Sequence, residues 1–143
     1  MSSGLLTNTR LYFDALGAFR EGDILPIVER FAQSAMLAVD NGRALAADIT
    51  AAQRDFRVKV GAAQESVSKL LDLLPREPAI TAEMAAEYTG VSQATAYRAV
   101  QRLQDAGILS PAGKVRGVSV WIAGDIIAAL DDLAARAGRR IRH

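Results

Sequence analysis

The residue types best suited to chemistry in this chain lie close together in one stretch, GVSQATAYRAVQRLQDAGIL, residues 90–109. A glycine, a hydroxyl residue and a run at helical spacing follow one another, with Arg98 and Arg102 on the run. On a wheel of about 100° per residue, Ala96, Ala99, Val100, Leu103 and Ala106 share the side a core would take. Arg98, Gln101, Arg102 and Asp105 fall on the other. The first turn, Ser92 to Thr95, is small and hydrogen-bonding. Such a helix start can approach base edges while flanking cations meet phosphates. Lys114 and Arg116 follow in a segment that reads as a hairpin, so Ser92 to Trp121 carries four cations against the single acid Asp105. The candidate DNA contacts are therefore Ser92, Gln93, Thr95, Tyr97, Arg98, Arg102, Lys114 and Arg116. The four cations suit phosphates; Ser92, Gln93, Thr95 and Tyr97 suit sequence reading or backbone positioning. Two blander readings stand beside this one. Exposed arginines on a helix are commonly just solvated, and helices of this kind also serve protein interaction.

Other chemistries are poorly supplied. The chain has no cysteine, which excludes disulfides, thiolate metal sites and cysteine nucleophiles. Its one histidine is His143, the last residue, so histidine catalysis and His-rich metal sites are not expected. We expect no catalytic residue, no cofactor and no metal. With a formal net charge of +1, the chain as a whole argues neither for nor against nucleic acid, and local clustering must carry the case. No apolar run approaches the roughly 18 residues of a membrane span, and no signal-peptide core opens the chain. The expectation is a soluble, cytoplasmic protein with no membrane partner.

The elements that must position these residues follow from periodicity. Thr7 or Asn8 can cap a first helix bearing Leu11, Ala15, Leu16 and Phe19. Asp23 is the expected N-cap of the next, because Pro26 is tolerated only in a first turn. From Ile24 the pattern stays helical for a long way, with Asn41-Gly42 a candidate kink and Gly61 the better boundary. Val67, Leu70, Leu71 and Leu74 mark a short helix ended by PREP at 75–78. Thr81 caps a two-turn helix, Gly90 turns the chain, Ser92 caps the next helix and Gly107 ends it. Two short strands around a glycine-containing turn come next, and Asp125 is the expected cap of a final helix bearing Ile127, Leu130, Leu133 and Ala134. From residue 62 the order is helix, helix, tight turn, helix, hairpin, helix. The fold class is thus mainly α: N-terminal helices, one of them long, over residues 1–61, then a winged helix-turn-helix domain with a small β-hairpin wing over 62–143.

The string A-x-x-x-G-V-S-x-x-T-x-x-R-x-x-x-x-L-x-x-x-G-I-L, from Ala86 to Leu109, together with the wing, resembles the C-terminal winged-helix module of bacterial Fic-family proteins. The N-terminal half resembles the segment after the catalytic helix of a Fic domain, with Tyr12, Ala15, Leu16, Gly22, Asp23, Pro26 and Phe31 at similar positions. Fic enzymes transfer a nucleotide monophosphate, usually AMP, through a motif H-P-F-x-D/E-G-N-G-R-x-x-R. Nothing in this chain matches that motif. Asn41, Gly42 and Arg43 share its letters N-G-R, but no His-Pro-Phe precedes them, and they read as part of a helix. The resemblance implies the tail of a Fic protein, regulatory and non-catalytic by itself, that binds DNA in transcription regulation. The alternative is a module that positions a Fic catalytic domain against a protein partner without touching DNA. Apolar residues on more than one side of the long helix further predict a homodimer through the N-terminal helices, with Phe31, Ala35 or Leu37 at its interface.

Overall fold

The computed structural model describes residues 9–138. The proposed caps Thr7 and Asn8, and the basic tail that ends in His143, lie outside them. The elements are α1 (Thr9–Arg20), α2 (Leu25–Val60), α3 (Glu65–Leu73), β1 (Ala79–Ile80), α4 (Ala82–Thr89), α5 (Gln93–Asp105), β2 (Ser110–Val115), β3 (Val118–Ile122) and α6 (Gly124–Gly138). The fold is mainly α with a small β-hairpin wing. Among the described residues no helix is long and apolar enough to cross a membrane.

The 36-residue α2 starts where a carboxylate meets its free amides: Asp23 Oδ1 accepts from the Leu25 N–H at 3.1 Å. It passes through Asn41-Gly42 without a break. One interior glycine costs only about 1 kcal/mol relative to alanine, which a long helix absorbs. It stops at Gly61, whose φ of +65° suits a residue without Cβ.

The chain forms two compact units, one comprising Ala47–Ala129 and the other the residues up to Ala46 with those from Leu130 onward. The division falls within α2 rather than at residue 61, because Phe56 and Val60, at 0% and 5% exposure, belong to the core of the winged unit. That core also takes Val67, Leu70, Leu71 and Leu74 from α3, Ile80 from β1, and Val100 and Leu103 from α5. Ile126 closes it from the start of α6. Burial at this start falls on Ile126 and Ala129, while Leu130 is exposed, so the buried stripe begins one position before the one expected. Asp125 is not the cap: it sits in the first turn, its carboxylate 4.0 Å from Lys59 Nζ.

In the other unit the buried described residues are Ala15 and Ser34, both small. Many of its large apolar side chains stay in solvent, while Leu16, Ile27 and Leu37 are half-buried. Phe13, Leu25 and Met36 are each more than 60% exposed.

The sheet has the order β1-β3-β2, antiparallel throughout. Sequence periodicity missed β1. It is two residues long, pairing Ala79 with Ile122 and Ile80 with Trp121, too short for any alternation to register. Between β2 and β3, Arg116 and Gly117 both take positive φ, +51° and +82°, as a two-residue type I′ turn demands.

Candidate nucleic-acid interface

The helix-turn-helix is set by local chemistry. Thr81 Oγ1 accepts from the Met84 N–H at 3.2 Å and opens α4. Gly90, at φ +71°, ends it and donates its N–H to the Ala86 carbonyl at 2.9 Å. Two residues later Ser92 Oγ accepts from the Thr95 N–H at 3.3 Å and opens α5. At the far end, Ile108 N–H reaches the Leu103 carbonyl and Gly107 N–H the Gln104 carbonyl, both at 2.9 Å. That is a Schellman closure with Gly107 in the left-handed position. Between these ends Ala96, Ala99, Val100 and Leu103 are buried, so the expected core face of α5 is the observed one.

The eight candidate residues fall into separate groups around α5. Ser92 and Gln93 stand exposed at its start. Thr95, Arg98 and Arg102 line a pocket of about 620 Å³ together with Ala62 and Gln64 of the link before α3 and Val67 of α3. Tyr97 lies on the other flank and, with Gln101, Gln104, Lys114 and Trp121, lines a cleft of about 400 Å³ against the wing. Arg116 sits in the hairpin turn and lines neither cavity. All four cations are exposed, and among the described residues none is paired with a carboxylate.

The two arginines on α5 are nonetheless held. Arg98 Nε donates to the Ala94 carbonyl at 3.2 Å and a terminal nitrogen to Thr95 Oγ1 at 3.5 Å. Arg102 donates across the fold to the Val60 carbonyl at 3.5 Å, at the negative end of α2. A guanidinium has five N–H donors, so each keeps several for another acceptor.

Three residues joined to this surface were not among the sequence candidates. Trp121 packs edge-to-face on Tyr97 with ring centroids 5.9 Å apart, and its Nε1–H donates to Gln104 Oε1 at 2.8 Å. Gln101, half-buried, lines the same cleft. Its place four residues after Tyr97 was the available signal, since residues at that spacing share a helix face.

Fold and surface together define a winged helix-turn-helix with an unpaired basic rim. The sequence matches no family model and no curated protein.

Proposed function

We propose that this chain is a DNA-binding winged-helix module that acts in transcription regulation in the cytoplasm. In this reading it is the C-terminal part of a bacterial Fic-family protein and is non-catalytic by itself. One observation carries the reading: Arg98, Arg102, Lys114 and Arg116 are exposed and unpaired on the helix and hairpin that flank a small polar helix start. Such cations release counterions when they meet phosphates, so binding weakens steeply with salt. The test is duplex-DNA titration, read by anisotropy, across a range of salt concentrations. Arg98→Ala, Lys114→Ala and Arg116→Ala are each expected to lower the salt slope by about 0.9 for every phosphate left without its cation. Salt-insensitive binding, or binding unchanged in Arg98→Ala/Arg102→Ala, would end this reading. Adenylyl transfer and ATP hydrolysis by the purified chain are expected at background.

One observation favours the alternative, a module that engages a Fic catalytic domain or another protein. Arg98 and Arg102 already spend donors on carbonyls of their own chain. Failure to bind any duplex at low salt would select it.

We further propose a homodimer through the N-terminal helices. Phe19, Ile24, Ile27, Val28, Phe31, Ala32 and Ala35 line an open groove of about 550 Å³ whose wall is wholly apolar. Surface of this kind is seldom left bare on a monomer.

A further inference from the structure

The pocket beside Arg98 and Arg102 has features that DNA docking does not use. It is concave, with a volume of about 620 Å³, inside the range of small-molecule sites. Thr95, Arg98 and Arg102 of α5 line it together with Ala62 and Gln64 of the link before α3. The exposed Ala62 and the methylene stems of the two arginines supply apolar surface over a floor closed by the buried Val67 and Ala99. The adjacent carboxylate, Glu65, is drawn to Lys69 at 2.8 Å, so neither guanidinium is neutralised from that side. The bonds to Ala94, Thr95 and Val60 orient the two cations, and each guanidinium keeps further donors beyond those. A backbone phosphate of a duplex would satisfy those donors and leave the apolar surface unused. A ligand with an anionic head and an apolar body would use both.

We propose that this pocket binds a small organic anion, an apolar body bearing a phosphate or a carboxylate, between α3 and the first turns of α5. The head group takes donors from Arg98 and Arg102, and the body lies against Ala62 and the methylene stems of the two arginines. Occupancy withdraws both arginines from any other acceptor, so the same ligand opposes DNA docking. That last consequence rests on the DNA-binding reading; binding in the pocket does not.

The probes are phenyl phosphate and benzoate, with inorganic phosphate and acetate as headgroup-only controls. They are titrated into the full chain at constant ionic strength and followed by amide chemical shifts. Saturable shifts at Thr95 and Ala99 are expected from one or both aromatic probes, and whichever binds tighter identifies the head group. Affinity should exceed that of the matching control by about tenfold or more, the effect of roughly 1.4 kcal/mol of added apolar contact. Arg98→Ala/Arg102→Ala, with folding checked by circular dichroism, should lose at least about tenfold, as expected for charge-assisted hydrogen bonds. Gln64→Glu, which sets a carboxylate at the pocket wall without touching either arginine, should weaken binding in the same direction.

Equal affinity for probe and control would overturn the proposal, as would shifts that never saturate up to about 10 mM, well above any specific affinity worth the name. DNA binding without saturable probe binding would sink this inference alone. Probe binding without DNA binding would support it and count against the DNA reading.

Discussion

Arg116 occupies the first central position of the wing's turn at φ +51°, a region where a side chain with Cβ is strained and where asparagine or glycine is preferred. Its neighbour Gly117 meets the same demand without strain. A cation at the tip of a hairpin thus trades stability for charge. Arg116→Asn is expected to raise the unfolding free energy by about 0.5–1 kcal/mol, about half of the left-handed penalty. The same change should weaken salt-dependent DNA binding, so stability and binding move in opposite directions. A fall in both on chemical denaturation and DNA titration would show that the arginine packs rather than projects. At this scale the sequence was most legible. Thr81, Gly90, Ser92 and Gly107 act through bonds to residues within five positions, and their types announce those bonds. Arg102 meets Val60 across 42 positions and Gln104 meets Trp121 across 17, and no local pattern foretells either.

At the scale of elements, α2 is the misleading one. Its periodicity declares a helix, and Gly61 declares the end, but neither says which core receives Phe56. The last turns of α2 serve the winged unit because Phe56 and Val60 pack among the residues of α3 and α5, a tertiary fact with no signature along the helix. Phe56→Ala should therefore cost about 3–5 kcal/mol in equilibrium unfolding, the usual range for a fully buried phenylalanine. Phe31→Ala, at a position 42% exposed, should leave unfolding of the winged unit nearly unchanged. Comparable losses from both would contradict this placement of the core. Helix α3 makes a smaller prediction. The Lys69 ammonium, hydrogen-bonded to Glu65, holds that carboxyl below the ordinary carboxylate range. A depressed folded pKa stabilises above the unfolded pKa, and the contribution fades as pH falls through the folded value. Glu65→Gln should therefore abolish a small acid-limb loss of stability and leave the shape of the neutral and alkaline limbs unaltered. An unchanged acid limb in denaturation series between neutral pH and pH 3 would show that the pair contributes nothing.

At the scale of the whole molecule the two compact units are built differently. The winged unit encloses a core of large side chains, Phe56, Leu70, Leu74, Ile80 and Leu103 among them; the other buries Ala15 and Ser34 and leaves its phenylalanines in solvent. Sequence alone revealed the apolar excess of the N-terminal helices. It could not reveal that the excess stays on the surface, because a helix pattern shows which residues are apolar and not what covers them. If a second copy covers them, sedimentation at tens of micromolar should give a dimer, and Phe31→Asp should shift it to monomer without unfolding the winged unit. A homodimer would carry two copies of α5, so its DNA site should be two related half-sites roughly one or more helical turns apart. A stable monomer, or a dimer untouched by Phe31→Asp, would overturn that arrangement.

The indole at position 121 gives this molecule an optical probe of its own. Trp121 is the sole tryptophan of the chain, is 6% exposed, and is wedged between Tyr97 of α5 and the wing strand that carries it. Its near-ultraviolet emission therefore arises from one address, beside the flank of α5 that faces the hairpin. Unfolding of the winged unit would shift that emission to the red as water reaches the ring. Anything that seats between α5 and the hairpin would change its intensity with the fold intact, with no label attached.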